Sequence, residues 1–197
     1  CADINILIGG TQIGAYTLGP LQITRQNYIG VDSGPVKVES TNGIPIIAAI
    51  RDAWAVNGVT TSFSQLMGLP LEQLSNKYVF PGYNNVTLNE QLRIANVDTI
   101  QTTVTVRIGG VERGTYTLYP PGSPLGASAV RINYPGLDSG PVVVEGTAGV
   151  KIISAIREAW AVNGVTTSFV QLMGLPAEQL SNKYVFPAYN NVTLNEQ

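Results

Sequence analysis

Few residues in this chain could carry catalytic chemistry. The 197 residues include no histidine and a single cysteine, Cys1. Without histidine there can be no Ser-His-Asp or Cys-His catalytic set, and one cysteine forms neither an intrachain disulfide nor the usual zinc site. Glu72 and Glu90 could in principle form a glycosidase pair, but nothing in their spacing supports that role. We therefore expect no enzyme activity, no cofactor and no resident metal.

Other polar residues suggest modification or ion binding only weakly. Asn85 and Asn191 each begin an Asn-Val-Thr sequon, which makes them candidate glycosylation sites in a secreted protein. Asp32 and Asp138 lie near glycine-rich turns. Calcium needs about six to eight oxygen ligands, and no Asp-rich loop surrounds either residue.

Aromatic residues are the stronger binding candidates. Trp54 and Trp160 stand at apolar positions of predicted strands, which is typical of core residues, although a binding platform is the alternative. A second aromatic set could form an exposed patch that binds sugar rings or a neighbouring subunit, or could simply pack in the core. Its members are Tyr78, Phe80 and Tyr83 in the first half and Tyr184, Phe186 and Tyr189 in the second.

The composition excludes some partners and leaves Cys1 open to two interpretations. Charged residues make up 12% of the chain and the net charge is −2, so there is no basic footprint for nucleic acid. No apolar run is long enough to span a membrane as a helix. Cys1 is either the start of a trimmed fragment or the lipidated first residue of a mature bacterial lipoprotein, which would give a lipid anchor.

An internal repeat is the main feature of the sequence. Residues 51–91 and 157–197 differ at only four of 41 positions, namely Asp52/Glu158, Ser64/Val170, Leu71/Ala177 and Gly82/Ala188. The halves before them align loosely, because the second copy carries six extra residues around 120–129. The chain is therefore two copies of one unit, each about 100 residues long and within the usual size of a domain.

We divide the chain into a first repeat at 1–91, a connecting strand or linker at 92–102 and a second repeat at 103–197. Two explanations of the near-identity are open. One is recent duplication, and the other is a common structural role in which both copies present the same surface to equivalent neighbours. The insertion at 120–129 is either a tolerated surface loop or a contact with a partner.

Alternating β-branched residues predict strands in both repeats. Ile4, Ile6 and Ile8 fall on one face of a predicted strand, and the second repeat has the same pattern. Ile46–Val56 is a longer β-prone run, with a bulge expected near Arg51-Asp52. The Asn57-Gly58 pair that follows predicts a two-residue hairpin turn.

A short helical insertion is expected after this hairpin. Ser62 is a suitable N-cap residue, Gly68 a suitable stop, and Pro70 begins a second short helical turn. Further strands are expected from Lys77 onward. Together these patterns predict an all-β chain of two tandem immunoglobulin-like β-sandwich repeats, each with a short helical insertion.

The two repeats end differently. After Gln91 the sequence continues as an alternating strand over 92–97, and nothing follows the equivalent Gln197. A sandwich that lacks a strand exposes unpaired edges, which favours strand exchange between subunits. The candidate residues are Leu92, Ile94 and Val97, with Ile4 and Ile6 on the receiving strand. The alternative is that the chain is a segment of a longer repeat array.

The repeat also resembles a known family. The segments TSF, LMGLP, EQLS and YNNVTLNEQLR resemble a repeat of large secreted and surface-anchored proteins of filamentous bacteria. That resemblance implies an extracellular, multi-repeat protein and assigns no enzyme activity or binding residues. We expect a self-associating structural subunit of a pilus-like filament at the cell surface. The alternative is an adhesive or carbohydrate-binding module of a surface lipoprotein, with surface glycans as its partners.

Overall fold

The computed structural model describes residues 1–193 and shows an all-β chain, as the sequence predicts. Residues 194–197, which end the second repeat, lie outside the described residues. The first repeat contains β1 (Ala2–Ile8), β2 (Thr11–Leu18), β3 (Val36–Ser40), β4 (Ala49–Val56), β5 (Val59–Met67), β6 (Lys77–Phe80), β7 (Tyr83–Asn84) and β8 (Asn89–Asn96).

The second repeat continues this numbering. It contains β9 (Thr102–Ile108), β10 (Val111–Leu118), β11 (Ala129–Ile132), β12 (Asp138–Ser139), β13 (Val142–Glu145), β14 (Ile152–Val162), β15 (Val165–Met173) and β16 (Leu175–Pro176).

Residues 75–176 form what we call the closed unit, two antiparallel sheets around one core. One sheet has the order β10-β9-β13-β6-β16 and the other β11-β8-β14-β15. Strand β6 belongs to the first repeat by sequence and β8 runs from it into the connecting strand, yet both pair with strands of the second repeat. Alternate side chains of both sheets are buried together, because successive residues of a strand point to opposite faces. This core includes Phe80, Leu92, Ile94, Val106, Val144 and Ile156.

Residues 1–74 form what we call the open unit, which reproduces part of the closed unit. It has one sheet of order β2-β1-β3 and a separate hairpin of β4 and β5. Local details agree with the closed unit: the hydroxyls of Tyr16 and Tyr28 lie 2.8 Å apart, and those of Tyr116 and Tyr134 lie 3.0 Å apart. Strands β1 to β5 therefore reproduce the corresponding strands of the second repeat.

The open unit departs from its twin where a pairing strand is missing. In the closed unit β11 pairs with β8, and β12 pairs with β7. Residues 23–26 and 32–33, which correspond to β11 and β12, are not in strands. Isolated strands are marginal in water, so these segments lose their strand conformation with their partners. Many apolar side chains of the open unit are exposed, among them Ile23, Ile29, Val36, Ile46, Ile47 and Ile50.

The insertion at 120–129 contacts the open unit. Gly10 approaches it so closely that a side chain at position 10 would stand 2.4 Å from the amide nitrogen of Gly122. Near the end of the same segment, the Ser128 hydroxyl donates to the Gly34 carbonyl over 2.7 Å. Asp32 forms an ion pair with Arg131, which holds the pKa of that carboxyl below its usual range. The residues that the second repeat adds thus help to join the two units.

The predicted helix over 62–68 is wrong. Residues Val59–Met67 form strand β5, paired antiparallel with β4. The Asn57-Gly58 turn holds Asn57 at a φ of 50° and closes the hairpin as predicted. The β-branched and aromatic residues after the turn favour the hairpin, and Ser62 serves as a contact residue rather than a helix cap. The expected helical insertions reduce to two three-residue 3-10 turns, at Leu71–Gln73 and Ala177–Gln179.

The predicted bulge is also misplaced. Asp52 pairs regularly with Ser64, and the irregularity in register lies between Trp54 and Ala55. The second repeat shows the same shift between Trp160 and Ala161. The bulge lies close to the hairpin tip because the two-residue turn fixes the register from that end.

Over residues 1–193 the structure has no helix long and apolar enough to cross a membrane.

Twin core positions should respond differently to the same truncation. Ile156 is 1% exposed in the closed unit, and its counterpart Ile50 is 43% exposed. We expect Ile156→Ala to lower the free energy of unfolding by about 2–5 kcal/mol, since it leaves a cavity. Ile50→Ala should lower it by about 1 kcal/mol or less, as at a surface site. Urea titration followed by tryptophan fluorescence measures both, and equal losses would contradict the difference between the units.

Candidate functional site: a donor segment and an open acceptor

The closed unit is completed by a segment that sequence comparison assigns to the other repeat. Strand β6 pairs antiparallel with β13, with Phe80 opposite Val142 and Tyr78 opposite Val144. The side chains of Tyr78 and Phe80 are 0% and 1% exposed, and burial raises the pKa of Tyr78 to about 12. We call residues 77–87 the donor segment, because they supply this strand to the neighbouring repeat.

Strand β8 completes the second sheet in the same way. It lies between β11 and β14 and places Leu92 and Ile94 in the core. Sequence reasoning named both residues as strand-exchange candidates, and the structure shows them paired within the chain. Of the other candidates, Val97 donates its amide to the Lys151 carbonyl over 3.2 Å. Ile4 and Ile6 lie on β1, paired with both β2 and β3.

Tyr83 fastens the donor segment between the two sheets. Its hydroxyl donates to the Glu90 carbonyl over 2.9 Å and accepts from the Tyr134 amide over 2.8 Å. The rings of Tyr83 and Tyr134 meet edge to face at 5.8 Å, a favourable aromatic geometry. A hydroxyl buried in this way must be hydrogen-bonded, and here both its donor and its acceptor roles are used.

The open unit presents the corresponding acceptor without a donor. Strand β3 is the counterpart of β13, and in residues 1–193 its only paired neighbour is β1. Val36 and Val38 match the fully buried Val142 and Val144, but Val36 is exposed and Val38 half-buried. A strand edge with free N–H and C=O groups beside apolar residues is a site for pairing with another strand. We call this edge of β3 the open acceptor.

The tail at residues 183–193 repeats the donor segment almost exactly in sequence but not in environment. Tyr184 and Phe186 are 55% and 80% exposed, and Tyr189 is exposed as well. Residues 183–186 are not in a strand, whereas the same four residue types form β6 at 77–80. The difference follows from pairing, because the local sequence is the same in both places.

The tail nevertheless keeps the turns of the donor segment. The Ser181 amide donates to the Tyr184 hydroxyl over 3.0 Å, as the Ser75 amide donates to the Tyr78 hydroxyl over 3.3 Å. The Lys183 amide likewise donates to the Ser181 hydroxyl. These short-range hydrogen bonds form without a partner strand. The start of the tail therefore keeps the local hydrogen bonds of its twin, although residues 183–186 are not in a strand.

The structure separates the predicted aromatic patch into two groups. Tyr78, Phe80 and Tyr83 are buried, so their predicted exposure is wrong and the core-packing alternative holds for them. Pairing with β13 turns Tyr78 and Phe80 into the core, and Tyr83 lies on β7, which pairs with β12. Tyr184 and Phe186 are exposed. Sequence reasoning missed 77–80 as the donor strand, although its alternation of aromatic residues with Lys77 and Val79 was a usable signal.

The two tryptophans do not lie in the core, which is the position that the sequence favoured for them. Trp54 and Trp160 are 40% and 47% exposed. Both stand near the tips of hairpins that extend past the sheets, and the core begins farther down each strand. The Trp54 ring meets Phe169 edge to face, with centroids 6.4 Å apart.

The remaining candidates occupy surface positions of different kinds. Asn191 is exposed. The Asn85 amide, by contrast, donates to the Tyr83 hydroxyl and the Glu90 carbonyl, each over 3.2 Å. A glycan would replace one of the two amide hydrogens and so remove at least one of these bonds. Cys1 is exposed as a free thiol. Across residues 1–193 no three His, Cys, Asp or Glu side chains come together in a way that could hold a metal ion.

Three carboxyl groups line a cleft of about 550 Å³ where the donor segment meets the closed unit. They belong to Glu90, Asp138 and Glu158. Burial, with the nearby charges of the other two, raises the pKa of Glu90 to about 7. One carboxylate oxygen of Glu90 has no hydrogen-bond partner among the described residues. Glu90 therefore stays protonated up to a higher pH than an exposed glutamate does.

Comparison with known proteins adds little to this geometry. No protein-family model matches the chain, and no curated protein matches it. Among solved structures, the crystal structure of Thermotoga maritima 1070 is similar over 53% of this chain and 96% of that chain, with 12% sequence identity and a TM-score of 0.39. A likeness of that size supports no statement about fold or function.

Deprotonation of Glu90 should make the closed unit less stable as pH rises. Its pKa is raised from 4.5 when exposed to about 7 when folded, so the folded state binds more protons within that window. The free energy of unfolding should therefore fall as pH rises from about 4.5 to about 7 and then level off. Glu90→Gln should remove most of this slope. Urea titrations across pH measure it, and an unchanged slope in the variant would contradict the assignment.

Proposed function

We propose that the chain is an extracellular structural protein of tandem immunoglobulin-like β-sandwich repeats. It acts as the subunit of a cell-surface filament that assembles head to tail by strand exchange. The observation that carries the proposal is the pairing of β6 with β13, beside the exposure of the same sequence in the tail. The chain thus holds one completed pair of donor and acceptor and, at its two ends, the separate halves of another.

The completed pair gives the expected register between copies. Each tail residue corresponds to the donor residue 106 positions earlier, and each residue of β3 corresponds in the same way to β13. Phe186 of one copy should therefore lie opposite Val36 of the next, and Tyr184 opposite Val38, as Phe80 and Tyr78 lie opposite Val142 and Val144. In this register the two aromatic side chains enter the core of the open unit.

The energy of such a junction comes from burial and from the new ladder of hydrogen bonds. Complete burial of a large apolar side chain contributes about 1.5–3 kcal/mol, and Tyr184 and Phe186 are both largely exposed. Val36, Ile46 and Ile50 of the receiving unit would be covered as well. The β3 edge would gain hydrogen-bond partners for backbone groups that are otherwise unpaired.

The path of the chain sets the direction of assembly. In the first repeat the 3-10 turn Leu71–Gln73 carries the chain out of the open unit and into the closed one. The turn Ala177–Gln179 has the same backbone at both ends, with extended residues at Pro176 and Leu180 as at Pro70 and Leu74. The tail therefore leaves the closed unit as the donor segment leaves the open unit. A contact between unlike surfaces of this kind propagates into a filament unless it closes a ring.

The surface composition and the family resemblance support an extracellular assembly. Only 12% of the residues are charged and the net charge is −2, so copies repel one another weakly. The resemblance of the repeat to those of secreted and surface-anchored bacterial proteins favours the same location. A single cysteine forms no intrachain disulfide, and each subunit rests on core burial and strand pairing.

Opposing substitutions at one expected contact test the proposal. Phe186→Asp should disable the tail and Val36→Asp the open acceptor, since each places a charge in the core of the completed unit. Each variant alone should stay monomeric under conditions where the unmodified chain forms filaments. A mixture of the two should form dimers and stop there, because only one donor and one acceptor remain functional.

Analytical ultracentrifugation and negative-stain microscopy give the result. Val192→Asp is the matched control, since Val192 and its counterpart Val86 are both exposed and neither enters a core. That variant should form filaments normally. An unmodified chain that remains monomeric at high concentration, or filaments formed by the Phe186→Asp variant, would overturn strand exchange.

The exposed tryptophans favour a second candidate function, an adhesive or carbohydrate-binding module of a surface lipoprotein anchored at Cys1. Trp54 and Trp160 present parts of their rings on neighbouring hairpins, and aromatic faces can stack on sugar rings. A glycan array probed with the monomeric Val36→Asp variant tests this function separately from assembly. Binding that is lost in Trp160→Ala would support it, and an array without hits would count against it.

A further inference from the structure

Within the chain, the β4–β5 hairpin covers the outer edge of strand β15 with side chains and does not pair with it as a strand. The Ser62 hydroxyl accepts from the Phe169 amide over 3.1 Å and lies 3.4 Å from the Phe169 carbonyl oxygen. The Ser64 hydroxyl accepts from the Gln171 amide over 3.1 Å. Two hydroxyls of β5 thus satisfy backbone groups on the edge of β15 that faces away from β14.

Two further contacts flank these hydrogen bonds. The Trp54 ring covers Phe169 edge to face at an interplanar angle of 75°, and the Asp52 carboxylate accepts a hydrogen bond from the Gln171 side chain. The capping face therefore consists of Asp52, Trp54, Ser62 and Ser64. Its target is the edge of β15 at Phe169 and Gln171.

Each of these surfaces has an exposed twin. The counterpart of the capping face is on the second hairpin, where Trp160, Ser168 and Val170 are exposed and Glu158 is half-buried beside Glu90. The counterpart of the target is the outer edge of β5, and there Phe63 and Gln65 are exposed. Among residues 1–193, β5 forms a ladder with β4 alone.

We infer that the second hairpin of one copy caps the β5 edge of a second copy. Ser168 would accept from the Phe63 amide, and Trp160 would cover Phe63, as Ser62 and Trp54 do for Phe169. The partner is a second copy of this chain, because both surfaces already meet in this form within one copy. The inference rests on the head-to-tail direction of the proposed function but uses residues separate from the donor segment and the open acceptor.

The few differences between the repeats make the capping contact between copies weaker than the capping contact inside one chain. Only four positions differ over 41 residues, and two of them, Asp52/Glu158 and Ser64/Val170, lie on the capping face. Valine cannot accept a hydrogen bond, so the Gln65 amide would lack the partner that the Gln171 amide has in Ser64. The contact between copies therefore has one hydrogen bond fewer than the contact within a copy.

Restoring that hydroxyl should strengthen assembly. We expect Val170→Ser to lower the critical concentration for sedimentable filaments by about five-fold, the effect of one hydrogen bond of ordinary strength. Ser168→Ala should raise it by a similar factor, since the Phe63 amide would lose its acceptor. Val165→Ser makes the same chemical change at an exposed valine of the same strand, away from the capping face, and should leave the critical concentration unchanged.

The results separate this inference from the proposed function. If Phe186→Asp abolishes filaments while Val170→Ser and Ser168→Ala sediment like the unmodified chain, strand exchange stands and the capping contact is overturned. If Phe186→Asp still forms filaments but Val170→Ser lowers the critical concentration and Val165→Ser does not, capping stands and strand exchange is overturned. An equal effect of Val165→Ser and Val170→Ser would also overturn capping.

Discussion

The pairing of β6 with β13 is the contact on which the rest of this structure depends. It brings Tyr78 and Phe80 into the core, and the same segment leads into β8, which lies between β11 and β14. Both sheets of the closed unit therefore need a segment from the preceding repeat. Where that segment has no counterpart, the sheet ends at β3 and its apolar residues stay exposed.

A repeat built in this way cannot finish its own core. Its first three-quarters form an acceptor, and its last quarter is a donor for the following unit. Repeat proteins in general bury their cores against neighbouring repeats. Here the first repeat also supplies a strand, β6, that is hydrogen-bonded into a sheet of the second. The tail and the edge of β3 are complementary as a result, and the proposed junction between copies would repeat the pairing of β6 with β13.

Several features of the fold followed from local sequence patterns. The all-β class, the strands that begin each repeat and the Asn-Gly hairpin turns were all predictable, because they depend on alternation and on backbone conformations that short segments determine. The helix predicted at 62–68 was not, since Ser62 and Ser64 have ordinary capping chemistry in isolation. Their role becomes visible only beside the edge of β15, more than 100 residues away.

The burial of the aromatic residues in the candidate site could not be predicted from local sequence either. Sequence alone determined that Tyr78 and Tyr184 stand in matching contexts and that the repeats are nearly identical. Tertiary structure decided which copy is buried: Tyr78 is 0% exposed and Tyr184 55%. The physical reason is that a strand is stabilised by the partner beside it, through backbone hydrogen bonds and shared burial. That partner is set by the path of the whole chain and not by the residues of the strand.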